Sequence, residues 1–175
     1  MSYKVVVVDT DPQGRVSNWY DDSKCVFDVA EATTEKEIYR LWKALPLHDF
    51  IIIDGAAAIS AAAVMVSDLV IIPVTPSPLD FAACGAILAV IEARQDLRPV
   101  IARFLITKKV QQTHMLSLLK ESIAETSIPA LKTGTSYRQS YIKSMLDGGT
   151  IFDTKDSAAK GEISVITEEI LGLLK

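Results

Sequence analysis

Short runs of apolar residues alternate along the chain with segments in which apolar positions recur at helical spacing. The runs are rich in β-branched residues, which is typical of strands, and lie at 3–8, 26–29, 50–54, 69–74 and 100–107. Most of them lack an apolar-polar alternation, which indicates parallel strands covered on both faces. We therefore expect an α/β protein with an open, mostly parallel sheet flanked by helices on both faces.

Helices are predicted between these strands. Thr34 and Glu37 have the spacing of a capping box at the start of one of them. The predicted helices span 16–20, 34–45, 56–66, 79–95, 112–125, 137–146 and 158–174, and 128–131 is expected as a short strand near a sheet edge. Because 175 residues with 49% hydrophobic content suffice for one core, we expect a single domain over residues 1–175.

The composition predicts the cellular location of the protein and the state of its cysteines. No apolar stretch reaches the roughly 20 residues of a membrane helix, and the first residues do not form a secretory signal. We expect a cytoplasmic protein without membrane contact. Cys25 and Cys84 lie in unlike contexts without paired spacing, so we expect two buried free thiols.

A net charge of −4 provides no global attraction for nucleic acid, so any such contact must be local. Basic residues gather on segments that are distant in sequence but would share one face if the fold allowed it. They are Lys108, Lys109, Arg138, Lys143, Lys155 and Lys160. The alternative interpretation of these residues is an ordinary solvated surface.

Three aspartates follow buried strands directly. Asp9 and Asp11 end the first run, and Asp54 ends the run at 50–54. Ligands of open α/β sheets bind outside the carboxyl ends of the strands, and Mg²⁺ takes only one or two protein carboxylates while keeping several waters. The pattern predicts a magnesium–nucleotide site. The alternative is that these aspartates cap helices or turns.

Several other kinds of site are disfavoured by the sequence. No G-x-x-x-x-G-K-[ST] loop is present, and residues 132–135, with the sequence KTGT, have the wrong order. The first strand is followed by DTDPQG rather than G-x-G-x-x-G, which disfavours a third interpretation, a Rossmann-like cofactor enzyme. His48 and His114 lack partners at ligand spacing and no G-x-S-x-G occurs, which disfavours zinc sites and serine hydrolases.

Six segments occur in a familiar order over nearly the whole chain: VVVVDTDPQG, FIIIDGAA, AVMVSDLVIIPVTPSPLDF, RFLITKK, YIKSMLDGGTIFD and SAAKGEI. Together they resemble the ParA family of plasmid-partition ATPases, a deviant-Walker group, and most closely its small ParF type. The resemblance implies a P-loop NTPase-like fold, ATP or ADP with Mg²⁺, and self-association as a dimer or higher oligomer. It also implies a centromere-binding adaptor of the ParB or ParG kind and nonspecific contact with nucleoid DNA.

The resemblance also implies roles for individual residues. Asp9 or Asp11 would help to position the attacking water, and Asp11 and Asp54 would serve the metal, with Asp54 as the Walker B carboxylate. The residues implied to border the nucleotide are Thr10, Pro12, Gln13, Pro76, Thr107 and Lys108, of which the last two would lie near the base. Asp80 and the loop 76–78 would also border the dimer face.

One departure from the family is large. Family members place a strand, a KGGxGKT loop and a helix ahead of the strand that corresponds to 5–8, and the sequence contains no such loop. Phosphoryl transfer depends on positioning and charge stabilisation, so we expect this chain to hydrolyse ATP poorly or not at all. The alternative function is a non-enzymatic interaction module that regulates a full-length partition system.

The departure also affects the predicted sheet. In the family the absent strand lies between the strands that correspond to 50–54 and 69–74. Unpaired backbone groups inside a sheet are costly, which leaves three arrangements. The two strands pair directly, a strand of another copy pairs between them, or the sequence is part of a longer product.

Overall fold

The computed structural model describes residues 3–20, 25–45, 47–56, 60–146 and 148–175. The strands are Val5–Asp9 (β1), Asp28–Glu31 (β2), Phe50–Asp54 (β3), Leu69–Val74 (β4) and Ile101–Ile106 (β5). The helices are Arg15–Trp19 (α1), Glu35–Ala44 (α2), Ser60–Val66 (α3), Pro78–Ala83 (α4), Gly85–Gln95 (α5), His114–Ala124 (α6), Gln139–Leu146 (α7) and Ser157–Leu173 (α8), with a 3₁₀ turn at Ile151–Asp153. All strand pairs are parallel, and the predicted α/β class is confirmed.

The chain divides into two compact units. Unit 1 comprises Met1–Val66 and Ser144–Thr150, and unit 2 comprises Ser67–Lys143 and Ile151–Lys175. Each unit contains its own strands and buried residues, so each is described by itself. The single domain expected from the sequence stays a prediction.

Unit 1 has a three-stranded sheet in the order β2-β1-β3. Pairing of β1 with β3 is in register from Val5 opposite Phe50 to Asp9 opposite Asp54. The hydrophobic core on one face of the sheet consists of Val8, Ala32, Ile38, Ala62, Ala63 and Val66, with Ile51 and Ile53 packed against it. Apolar residues of β1 and β3 therefore pack together with residues of α2 and α3.

Helix α2 begins at the predicted capping box. The side chain of Thr34 accepts a hydrogen bond from the amide of Glu37 at 3.3 Å, and Oε2 of Glu37 accepts one from the amide of Thr34 at 3.0 Å. These bonds satisfy amides that the first helical turn leaves without partners. Ile38 on the next turn is 1% exposed, so the cap orients the helix with its apolar face toward the core.

Unit 2 contains the strand pair β4-β5, with Ile72 opposite Phe104. Phe104 is fully buried and has the largest side chain among the residues of the core. The segment after α6 continues the parallel arrangement beside β5 through single bridges, Phe104 with Ala130 and Lys109 with Ser136. The predicted edge strand at 128–131 is thus reduced to one bridge, because Pro129 has no amide hydrogen to donate.

The single helix predicted at 79–95 is wrong. Ser77 caps α4 through its bond from the amide of Asp80, and the helix ends at Cys84. Gly85 then begins α5. Glycine is a weak helix former, so an interruption at this position costs little. The strand predicted at 26–29 lies two residues later, as β2.

The strand pairs show whether β3 and β4 pair directly where the family has a strand between them. In the described part of the chain, β3 pairs with β1 and β4 pairs with β5. Direct pairing of β3 with β4, the first of the three predicted arrangements, is not found there. The predicted helix start at 56–59 lies largely outside the described residues, since 57–59 are not among them.

Two further expectations can be compared with the structure. Cys25 and Cys84 are free and buried, as predicted. Across the described ranges, no helix has both the length and the apolar character needed to cross a membrane.

Candidate functional site

The carboxyl ends of β1 and β3 bring together Asp9, Thr10, Asp11 and Asp54, which we call the carboxylate edge. Thr10 links the two strands, since both its amide and its hydroxyl donate to the carbonyl oxygen of Asp54, at 3.3 and 2.5 Å. The same hydroxyl oxygen accepts from the amide of Ala56 at 2.7 Å. Thr10 is fully buried. Its side chain therefore fixes the strand ends, and its predicted contact with nucleotide stays a prediction.

Asp9 is 1% exposed, and its carboxylate is occupied by backbone amides. Oδ1 accepts from Asp11 at 3.0 Å, and Oδ2 accepts from Val16 at 2.8 Å and from Ser17 at 3.0 Å. Burial acts to raise the pKa of Asp9, but these hydrogen bonds outweigh it and hold the pKa below the usual value. The capping role that the sequence left open for Asp9 is thus present, at the start of α1. Its catalytic role stays a prediction.

Asp11 lies in the turn between β1 and α1. Its carboxylate accepts from the amide of Gln13 at 2.9 Å and pairs with Nε of Arg15 at 3.0 Å. Its carbonyl accepts from Gly14, whose φ of 60° is left-handed, a conformation that glycine adopts without steric cost. Pro12 and Gln13 are exposed on this turn. The turn presents a carboxylate that already has a cationic partner.

Asp54 differs from both. Its side chain is exposed, and no hydrogen bond reaches its carboxylate from the described residues. Its pKa is raised, first by loss of hydration and then by the negative charges of Asp9 and Asp11, against a smaller opposing effect of Arg15. The three aspartates therefore lie close enough to interact, as the sequence predicted, and Asp54 carries the carboxylate with open coordination capacity.

The carboxylate edge offers few ligands for a metal ion. Within the described residues, no group of three or more histidine, cysteine, aspartate or glutamate side chains is arranged to hold one. Such a cage is not required for Mg²⁺, which keeps several waters and takes few protein ligands. A single open carboxylate at Asp54 fits that mode, whereas Asp9 does not, because its oxygens are bonded to amides.

In unit 2, the loop after β4 is organised around Asp80. Both the amide and the hydroxyl of Thr75 donate to Oδ2 of Asp80 at 2.7 Å. These two bonds, together with the nearby charge of Lys108, lower the pKa of Asp80. Pro76 lies within the loop that they close. The carboxylate of Asp80 thus already accepts two hydrogen bonds from Thr75.

The end of β5 carries the other two predicted ligands of unit 2. The amide of Thr107 donates to the carbonyl of Val74 at 2.8 Å and completes the strand pair. Lys108 has a φ of 51°, in the left-handed region, and its amide donates to Oγ1 of Thr135 at 3.3 Å. We call residues 107–109 the Lys108 turn.

The structure thus distributes the predicted site residues over two strand-end regions. Unit 1 holds six of them: Asp9, Thr10, Asp11, Pro12, Gln13 and Asp54. Unit 2 holds three: Pro76, Thr107 and Lys108. Within each unit the members lie at the carboxyl edge of the local strands, where open α/β sheets bind ligands.

Sequence reasoning missed the residues that support the Lys108 turn. Thr135 and Gly134 lie beside it, and a β-carbon on Gly134 would stand 2.1 Å from the carbonyl oxygen of Ile106. Glu162 on α8 accepts hydrogen bonds from Ser136, Arg138 and Tyr141. The sequence singled out the KTGT stretch that contains Thr135, but only as a failed phosphate loop.

Comparison with known proteins was made for sequence and for structure. No protein-family model matches the sequence. The chain is 26% identical over 179 residues to the maintenance of carboxysome distribution protein A of Halothiobacillus neapolitanus. The match covers 96% of this chain and 83% of that protein.

Solved structures share the fold. MinD of Aquifex aeolicus matches with a TM-score of 0.75 at 13% identity, over 98% of this chain and 85% of MinD. A plasmid partition protein of Borrelia burgdorferi bound to AMPPNP matches with a TM-score of 0.70 at 16% identity, over 98% and 87%. A variant of McdA from Cyanothece in complex with ATP matches with a TM-score of 0.69 at 13% identity, over 97% and 86%.

Proposed function

We propose that the chain is a ParA-type partition protein that responds to a magnesium–nucleotide complex. The proposal is supported by its sequence similarity to a protein of carboxysome distribution and by the fold that it shares with MinD and a plasmid partition protein. The cargo of this chain is a plasmid, bound through a centromere-binding adaptor, and the chain works in the cytoplasm as a dimer or higher oligomer. The relative from H. neapolitanus is named for carboxysome distribution and the Borrelia protein for plasmid partition. These two similar proteins are therefore named for different cargoes.

The observation that carries the proposal is the register of β1 with β3. It sets Asp9 opposite Asp54, and Thr10 bonds the two strand ends together. Asp54 is left with an exposed carboxylate whose hydrogen-bonding capacity is unused within the described residues. In this role Asp54 would accept hydrogen bonds from waters of Mg²⁺, while Asp9 would hold the start of α1 through its bonds from the amides of Val16 and Ser17.

A bound magnesium–nucleotide complex supplies the charge neutralisation that phosphoryl transfer needs. The chain's own contribution at unit 1 is orientation, since Thr10 fixes the backbone of Asp54 and Asp11 directs Arg15. The sequence contains no glycine-rich loop with a lysine for the phosphates. We therefore propose that these 175 residues hydrolyse ATP poorly or not at all.

Calorimetric titration tests the nucleotide part. Mg-ATP and Mg-ADP titrated into the 175-residue protein should bind with dissociation constants of about 1 mM or weaker, because the phosphate contacts are few. Asp54→Asn should abolish the Mg²⁺ dependence of the residual binding, and Asp28→Asn serves as the control for loss of one carboxylate in the same unit. Micromolar binding of ATP would contradict the proposed weakness, and binding independent of Asp54 would contradict the proposed site.

Contact with DNA is proposed through unit 2. The six basic residues singled out in the sequence all belong to this unit. Lys109 pairs with the segment that leads to Arg138, and Arg138 bonds to Asp156, which lies between Lys155 and the start of α8. Lys108, Lys143 and Lys155 are exposed. Removing the charge of Lys155 should weaken DNA binding for all sequences alike and reduce the salt slope by about one.

The alternative function is a nucleotide-independent interaction module. It is favoured by one observation, that the buried carboxylate of Asp9 is used entirely in backbone hydrogen bonds. Capture of a cognate partition adaptor, with and without Mg-ATP, separates the two functions. A partition ATPase changes its adaptor binding with nucleotide, and a module binds equally well in both conditions.

A further inference from the structure

Helix α8 holds the segment 131–138 through two carboxylates on its surface. Glu162 accepts hydrogen bonds from the amide of Ser136 at 3.0 Å, from its hydroxyl at 2.6 Å and from the hydroxyl of Tyr141 at 2.8 Å. Two turns further along the helix, Glu169 accepts from the amides of Lys132 at 2.7 Å and Thr133 at 3.2 Å. A carboxylate that receives several amide and hydroxyl donors is a strong and directional anchor.

The segment in turn is hydrogen-bonded to the end of β5. The amide of Thr135 donates to the carbonyl of Ile106 at 3.1 Å, and the amide of Lys109 donates to the carbonyl of Thr135 at 2.8 Å. The amide of Tyr137 then donates to the carbonyl of Lys109 at 2.9 Å. Gly134 approaches the backbone of Ile106 more closely than any residue with a β-carbon could. Successive backbone hydrogen bonds therefore hold the segment 131–138 alongside the Lys108 turn.

Lys108 adopts a conformation that its own side chain disfavours. A left-handed φ is unfavourable for a residue with a β-carbon, and such residues persist where their surroundings fix them. The hydroxyl of Thr135 accepts a hydrogen bond from the amide of Lys108. The hydrogen bonds of Lys109, the next residue, restrict the backbone on the carboxyl side of Lys108. The conformation of Lys108 thus depends on where the segment 131–138 lies.

We propose that Glu162 is a positioning residue for Lys108. Through Ser136 and Thr135, it holds the Lys108 turn in its left-handed conformation. Any ligand that contacts Lys108 therefore binds to a turn whose conformation depends on Glu162 of α8. The part that concerns a nucleotide ligand rests on the proposed function, whereas the link from Glu162 to Lys108 does not.

The link can be measured without any ligand, by amide hydrogen exchange resolved by residue in the full chain. Glu162→Ala should accelerate exchange of the amides of Lys108, Lys109 and Thr135 by about tenfold or more, since it removes an anchor of the segment 131–138. Lys108 and Lys109 donate to Thr135 of this segment, and Thr135 donates from it to Ile106. The amide of Ile101 donates to the carbonyl of Asp68, and the amide of Thr107 donates to that of Val74. The exchange rates of these two amides should change by less than about threefold.

Two matched variants sharpen the experiment. Glu162→Gln keeps one acceptor oxygen and should restore slow exchange at the Lys108 turn at least in part. Glu168→Gln removes the same charge from an exposed position of the same helix and should leave the turn unchanged. Uniform acceleration that includes Ile101 and Thr107, or equal effects of Glu162→Ala and Glu168→Gln, would overturn the proposal.

A second pair of variants covers the case in which Glu162→Ala does not fold. Thr135→Val removes the hydroxyl that accepts the amide of Lys108, and Thr135→Ser keeps it. Fast exchange of Lys108 in the valine variant alone supports the relay, and equal exchange in both variants overturns it. Titration of Mg-ADP into the wild-type chain is a separate arm. Micromolar binding, or binding that does not depend on Asp54, would count against the proposed function and would leave the exchange result to decide the link.

Discussion

Asp54 and Asp80 are both exposed aspartates near the carboxyl ends of parallel strands, yet their surroundings act in opposite directions. Asp54 faces the charges of Asp9 and Asp11, and its pKa is raised by loss of hydration and by those charges. Asp80 accepts two hydrogen bonds from Thr75 and lies near Lys108, and its pKa is lowered. The first aspartate is left with capacity for a cation, and the second closes a loop. Position at a strand end therefore does not by itself separate a binding carboxylate from a structural one.

The largest predicted effect concerns the buried neighbour of Asp54. Asp9→Ala should lower the free energy of unfolding by about 3 kcal/mol, because three backbone amides lose a charged acceptor. Asp54→Ala, at the paired position of β3, should lower it by less than about 0.5 kcal/mol. Equilibrium urea unfolding measures both. Equal costs would contradict the division between a structural and an open carboxylate.

The next largest effect concerns the close contact of Gly134 with the backbone of Ile106, in the unit that contains Asp80. Gly134→Ala should cost about 2 kcal/mol, since its β-carbon would meet the carbonyl oxygen of Ile106 and force the backbone apart. Gly161→Ala is the matched control on α8, where the added methyl meets nothing. It should stabilise the protein by about 0.5–1 kcal/mol, the usual preference for alanine inside a helix. Thermal unfolding of the two variants would show opposite shifts.

A smaller effect comes from the hydroxyl that closes the Asp80 loop. Thr75→Val should cost about 1 kcal/mol and raise the pKa of Asp80, because one of two donors is lost while the side-chain shape is kept. Thr75→Ser keeps the donor and should restore most of the difference. A valine variant as stable as the serine variant would show that the side-chain bond contributes nothing.

The smallest predicted effect is a change in pH dependence. A carboxyl whose pKa is lowered by folding adds stability above the unfolded value of 3.8, and that stability is lost as the pH falls through the folded value. Asp80→Asn should remove this acid-sensitive part. For Asp54 the sign is reversed, so stability falls as the pH rises through the window above 3.8. Asp54→Asn should therefore be neutral or slightly stabilising at pH 7 in urea titrations.

The sequence predicted most of the fold because the signals were local. The boundaries of β3 and β4 and the capping box of α2 follow directly from apolar runs and cap residues. The break between α4 and α5 was missed because the apolar stripe and the helical dihedral angles continue across Cys84, and only the hydrogen bond of its amide, which goes to Phe81, departs from the α-helical pattern. The bridges beside β5 could not be predicted, since they join residues whose partners are distant in the sequence.

The candidate site was predictable as a set of strand ends, and less so in its details. Adjacent parallel strands bring Asp9 and Asp54 to one edge, which follows from topology. The use of Asp9 by the amides of α1 depends on the turn at Gly14, and the sequence left that role as an alternative. The support of Lys108 by Glu162 was beyond sequence reasoning, because the spacing of acidic residues on α8 is that of an ordinary solvated helix face.

The most direct test is a pH titration of the side-chain carboxyl groups of Asp9 and Asp54 by NMR. With an open carboxylate at Asp54 and an amide-held carboxylate at Asp9, the pKa of Asp54 lies above 3.8 and that of Asp9 below it. The opposite order, or two equal values, would mean that the carboxylate edge does not leave Asp54 available for a magnesium–nucleotide complex.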